Sequence, residues 1–125
     1  MTTQEVADAL VGYCRQGQFE DAIKNLYSPE IVSIEPKGAP MEEVRGLEGV
    51  IKKGMQFAEM TEEMHGMEVS DPIVAENFFS CSMKMDITMK GAPRSTMEEV
   101  CVYNVKDGKI VHEQFFYTNQ APAQN

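Results

Sequence analysis

The stretch "FSCSMKMDITMKGAPRSTMEEVCVYNVKDGKIVHEQFFYT", residues 79–118, decides the fold. Phe79, Cys81, Met83, Met85, Ile87 and Met89 alternate with Ser80, Ser82, Lys84, Asp86, Thr88 and Lys90. A period of two gives a long strand one apolar face and one wet face. Gly91-Ala92-Pro93 turns the chain into a second strand, about Ser95 to Val105, and Lys106-Asp107-Gly108 turns it into a third, Lys109 to Thr118. A shorter strand, Met67 to Ser70, comes before these and ends at Asp71-Pro72.

Upstream the period is helical. Thr2 and Glu5 have the spacing of a capping box, and Val6, Leu10 and Tyr13, widened by Val11 and Cys14, form an apolar stripe that Gly17 ends. Phe19, Ala22, Ile23, Leu26 and Tyr27 mark a second helix, with Pro29 beyond its end. Ile31, Val32 and Ile34 predict a buried strand closed by Glu35 and Pro36, which puts one acid at its rim. A third helix starts after Gly46 and runs to about Met60 on Leu47, Val50, Ile51, Gly54 and Ala58. Gly49 and Gly54 each cost that helix about 1 kcal/mol against Ala, so something is expected to approach it closely. Helix, helix, strand, helix and four antiparallel strands predict an α+β fold, a cone-shaped sheet curved around three N-terminal helices with an open mouth. One domain is expected over residues 1–120, followed by a loose polar tail at 121–125.

Composition narrows the partners. Twenty Asp and Glu against eleven Lys and Arg give a net charge of −9, a field that repels nucleic acid. No apolar run approaches the roughly 18–20 residues of a membrane span, and "MTTQEVADAL" lacks the basic head of a secretory signal. A cytoplasmic location and no membrane partner are therefore expected. Cys14, Cys81 and Cys101 lack CxxC spacing and read as reduced, small apolar residues. His65 and His112 have no metal-ligand spacing, and there is no phosphate loop or nucleophile elbow; no metal or other cofactor is expected. Ten methionines and no tryptophan suit either core filling or an adaptable cavity wall.

Three segments, "YCRQGQFEDAIKNLYSPEIVSIEP", "RGLEGVIKKG" and "VYNVKDGKIVHEQFFY", resemble the ketosteroid-isomerase-like superfamily, which includes nuclear-transport-factor-two-like proteins and SnoaL-like polyketide cyclases. The resemblance spans about Val6 to Tyr117 and implies a cystatin-like α+β roll. In the isomerase branch the acid before the proline is a general base, and Glu35 holds that place. A first-helix tyrosine there donates to the developing oxyanion, and Tyr13 matches it. The branch's second acid falls at Cys101 or Val100, and a supporting tyrosine falls at Gly54.

The last hairpin decides what shares a face with Glu35. A three-residue Lys106–Gly108 loop with a glycine bulge pairs Val105 with Lys109 and puts Glu99, Cys101, Glu113, Phe115 and Tyr117 together. A two-residue Asp107-Gly108 turn instead joins Glu99 to His112 and Gln114. The resemblance favours the first. The expected catalytic set is then Glu35, Tyr13 and Glu113, with Met55, Met83, Met85, Glu99, Cys101, Phe115 and Tyr117 against the substrate. Carboxylates crowded in an apolar pocket resist ionising together, which raises at least one of their pKa values. The expected ligand is a small apolar carbonyl compound undergoing isomerase- or cyclase-type proton transfer. The rival expectation is a non-catalytic binding or homodimerisation module using the sheet's other face, through Phe116, Tyr103 or the even positions of the last strand.

Overall fold

Thr2 Oγ1 accepts from the Glu5 N–H at 3.1 Å, and Glu5 Oε1 accepts from the Thr2 N–H at 2.8 Å. Helix α1 (Thr3–Arg15) therefore opens on the expected capping box in this computed structural model, which describes residues 1–118. The tail expected at 121–125 lies outside the described residues. Helix α1 buries Val6, Ala7, Leu10, Val11 and Cys14, and Gly17, at φ +72°, lets the chain reverse into α2 (Phe19–Leu26).

Strand β1 (Tyr27–Ile34) follows α2 directly and begins earlier than the β-branched run predicts. Its register is irregular between Tyr27 and Val32, where Pro29 supplies no N–H to the ladder. The short β2 (Glu43–Arg45) pairs with β1, and α3 spans Leu47–Met60. Gly49 is where the close approach occurs: a Cβ there would lie 2.8 Å from Val44 Cγ1 of β2. At Gly54 a Cβ would meet Ile23 Cδ1 at 3.8 Å, an ordinary contact.

The remaining strands are β3 (Thr61–Val69), β4 (Ile73–Ala75), β5 (Phe78–Met89), β6 (Ser95–Lys106) and β7 (Lys109–Phe116). Strand β3 is longer than the Met67–Ser70 segment expected, because two register irregularities scramble its alternation. The sheet runs β2-β1-β7-β6-β5-β3, with β4 also on β5. The strands from β3 onward pair antiparallel as expected, but β1 joins β7 in parallel, so the curved sheet of seven strands is mixed. The three helices pack on it, and the core includes Phe79 stacked on Tyr103 with ring centroids 4.6 Å apart. Tyr103 is thus an inner-face core residue and not part of the outer face, as the dimer reading had it.

The last hairpin follows neither simple alternative. Lys106 pairs with Lys109 around a two-residue turn, with Asp107 at φ +51° and Gly108 at φ +77°. The expected three-residue loop with Val105 opposite Lys109 is therefore not formed; Val105 faces Ile110. The register then slips between Asn104 and Val105, leaving Val111 as an extra residue on β7. That bulge restores the inner face: Tyr103 stands opposite Glu113, and Cys101 opposite Phe115.

Candidate functional site

Parallel pairing of β1 with β7 sets Ser33 beside Glu113, and two residues on, Glu35 follows on the same side. Glu113 is 4% exposed. The Tyr27 hydroxyl donates to its Oε1, and Ser33 Oγ donates to its Oε2 at 2.7 Å. Burial pushes the Glu113 carboxyl up, against the Tyr27 and Ser33 donors and the positive charge of Lys53. Burial also drives Tyr27 well above its usual value, with the Glu113 charge adding to it.

Lys53, from α3, reaches over the Phe115 ring with its Nζ 5.1 Å from the centroid. It donates to Ser33 Oγ at 3.0 Å and forms an ion pair with Glu35 Oε2 at 2.5 Å. The Lys53 and Glu35 side chains are 18% and 12% exposed. Tyr117 donates to Glu35 Oε1 at 2.6 Å, so both oxygens of Glu35 are engaged. Burial, then this bond, raises the Tyr117 hydroxyl above its ordinary value. Where β1 and β7 end, a hollow of about 440 Å³ opens, lined by Glu35, Pro36, Glu42, Phe115, Phe116 and Tyr117 among others.

Glu99 completes the cluster from β6. It is partly buried, stands opposite Met83 across the β5–β6 ladder, and accepts from the Cys101 thiol at 3.5 Å. Burial lifts its carboxyl from 4.5 to about 7; Cys101 opposes this, the charges of Glu35 and Glu113 add to it, and Lys53 opposes it. Three carboxylates thus meet in one electrostatic neighbourhood in three different states. Glu35 is ion-paired, Glu113 is buried among hydroxyls, and Glu99 is raised by burial to about 7.

The expected residues divide accordingly. Glu35, Glu99, Cys101, Glu113, Phe115 and Tyr117 come together, and Met83 packs beside them. Met85 is buried between Met67 and Met97, two residues further along β5. Met55 is 57% exposed on α3 and is not brought to the cluster, because Val50 and Lys53 are on the side of α3 that meets the sheet. Tyr13 is not brought there either. It flanks the buried stripe of α1, and its hydroxyl accepts from Asn25 of α2 at 3.0 Å. The tyrosine on the cluster is instead Tyr27, accompanied by Ser33 and Lys53, none of which the sequence reading picked. One signal for Lys53 was available: it lies three residues after Val50, the residue that α3 buries.

The three thiols are buried in the core behind the cluster. Burial, then the charges of Cys81, Glu113 and Glu99, pushes Cys14 up to about 12. The Cys81 thiol and then burial raise Cys101, whereas the Cys101 thiol lowers Cys81. Among the described residues no three His, Cys, Asp or Glu side chains are grouped to hold a metal ion, and no helix is long and apolar enough to cross a membrane.

The model of the SnoaL-like domain family matches residues 1–117. A Mesorhizobium loti protein proposed to be a SnoaL-like polyketide cyclase is 35% identical; the match covers 94% of this chain and 100% of that one, with a TM-score of 0.88. A cystatin-like-fold protein of Xanthomonas campestris matches at 17% identity, covering 96% and 93%, with a TM-score of 0.81. A ketosteroid-isomerase-like-fold protein of Catenulispora acidiphila, solved with trimethylamine, matches at 16% identity, covering 92% and 86%, with a TM-score of 0.74. These last two carry the fold alone. No curated protein matches the chain in sequence.

Proposed function

The chain belongs to the SnoaL-like domain family, and on that premise we propose that it binds a small apolar carbonyl compound at the Glu35 hollow and moves a proton next to the carbonyl. One observation carries this reading: two carboxyls of the same cluster have unlike surroundings, Glu35 beside a cation and a phenol, and Glu99 raised by burial. Glu35 pairs with the Lys53 ammonium, accepts from Tyr117 and stands at the hollow, where a carboxylate oxygen can take a proton. Glu99, near 7, carries a proton much of the time at neutral pH and is the matching acid for a developing enolate oxygen. Phe115 and Pro36 give the apolar wall. Glu113 stabilises no enolate directly in this reading, since both its oxygens are already engaged by Tyr27 and Ser33; it backs the site from within. Tyr13 has no part. The transfer is of the isomerase or cyclase type and uses only side chains of the chain.

The probe is β-tetralone, an apolar ketone with exchangeable protons beside its carbonyl, incubated in heavy water and followed by proton NMR. The protein is expected to accelerate deuterium uptake, and Glu35→Gln to lose at least about 100-fold of that acceleration, the lower range for a positioned base. Equal uptake with both proteins removes Glu35 from the mechanism.

A second reading rests on the outer face. Val100 and Phe116 are each 48% exposed and are cross-strand partners of β6 and β7, an apolar pair suited to a two-fold dimer. Phe116→Lys should then leave only monomer in analytical ultracentrifugation; a wild-type protein that is monomeric at tens of micromolar rejects it.

A further inference from the structure

Cys81 and Cys101 stand directly opposite each other across the β5–β6 ladder, and both belong to the core on its inner face. The Phe79–Tyr103 stack flanks the pair on one side, and Met83 opposite Glu99 flanks it on the other. Facing residues of an antiparallel pair have Cα atoms about 4.5–5.5 Å apart, inside the roughly 4.4–6.8 Å that a disulfide spans. The two sulfurs already interact: the Cys101 thiol lowers Cys81, and the Cys81 thiol raises Cys101. The third thiol, Cys14, comes from α1 and has no place on this ladder. We propose that Cys81 and Cys101 form an oxidation site for hydrogen peroxide, closing to a cross-strand disulfide that takes the thiol hydrogen away from Glu99. The cross-link needs neither a substrate nor a proton on Glu35.

The step balances. The Cys81 thiolate attacks one peroxide oxygen and the O–O bond breaks; the other oxygen takes up the proton Cys81 gave up and leaves as water, with Cys81 now a sulfenic acid. The Cys101 sulfur then attacks the Cys81 sulfur, and the S–O bond breaks. The hydroxyl leaves with the Cys101 proton as a second water. Two thiols have lost two electrons and two protons, and the peroxide has taken both. Cys81 goes first because the thiolate is the nucleophile: Cys101 lowers it, burial and the Glu99 charge oppose this, and Arg15 lowers it further. Cys101, pushed up by Cys81 and by burial, resolves the sulfenic acid. Glu99 Oε2 lies 3.5 Å from the Cys101 sulfur and loses its thiol donor when the disulfide forms. That donor opposes the rise of Glu99, so the carboxyl climbs further. The other groups acting on Glu99 keep their charges: Glu35, Lys53 of α3, Cys14 of α1, Glu113 of β7 and Tyr117 beyond it.

Trypsin separates the three thiols, since Cys14, Cys81 and Cys101 fall in the peptides 1–15, 54–84 and 95–106. The test treats the folded protein with hydrogen peroxide, blocks the remaining thiols with iodoacetamide, and maps the peptides by mass spectrometry without reductant. Peptides 54–84 and 95–106 should be joined, and dithiothreitol should part them. Cys14→Ser should keep the link, and Cys81→Ser should abolish it. In a carbon-13 NMR titration the Glu99 carboxyl midpoint should move up from about 7 in the oxidised protein and return on reduction. A link that includes peptide 1–15, cysteines that gain oxygen without a link, or peptides that stay separate overturn the site. A Glu99 midpoint that stays or falls on oxidation overturns its coupling to Glu99. If Cys81→Ser does not fold, the wild-type map decides alone.

Discussion

Replacing Glu99 by Gln should stabilise the protein in mild alkali and leave it unchanged in acid. The Glu99 carboxyl is raised from 4.5 to about 7 in the fold, chiefly by burial. Its folded form therefore binds a proton more tightly than its unfolded form. Below about pH 4.5 both states are protonated and Glu99 contributes no penalty. As pH rises from there through about 7 the unfolded chain ionises first, so stability falls, and above about 7 the full penalty is present. Each pH unit corresponds to about 1.4 kcal/mol, so the penalty at about pH 8 is on the order of 3 kcal/mol. Gln retains the carbonyl oxygen that accepts from Cys101 and has no charge to desolvate. Thermal unfolding at about pH 8 should then show Glu99→Gln melting roughly 10 °C above wild type. At about pH 4 the two curves should coincide. A variant that melts with or below wild type at the higher pH refutes the assignment of Glu99 as the desolvated acid.

Two further perturbations bear on the scaffold. Lys53→Met leaves a nearly buried Glu35 without its cation and should cost about 3 kcal/mol in urea unfolding at neutral pH; a loss below about 1 kcal/mol would make the ion pair a surface ornament. Gly49→Ala gains helix propensity but sets a methyl 2.8 Å from Val44, so it should destabilise by about 1–2 kcal/mol rather than stabilise; higher stability would show that β2 yields freely.

Local patterns predicted the elements well because they follow from local chemistry. The Thr2–Glu5 cap, the alternation of β5 and a chain reversal between β6 and β7 each concern residues close in sequence. The face of Glu113 was found by way of the wrong loop. A bulge at Val111 compensates for the shorter turn, and a single extra residue is invisible to a period-two pattern. Parallel pairing of β1 with β7 was not legible, since residues 80 apart in sequence meet there through packing of the whole sheet. Tyr27 was read as the end of an apolar helical stripe, yet the strand starting at that residue turns its hydroxyl onto Glu113. Lys53 was passed over because lysines on helices are mostly solvated; here its ammonium lies over the Phe115 ring of β7 and binds Ser33 and Glu35 of the β1 segment.

A crystal structure with bound β-tetralone tests the central claim most directly. The account predicts density in the hollow at the β1 and β7 ends, with the carbon beside the carbonyl within about 3–3.5 Å of a Glu35 oxygen. Ketone bound only on the outer sheet face around Val100, with the Glu35–Lys53 pair untouched, would contradict it.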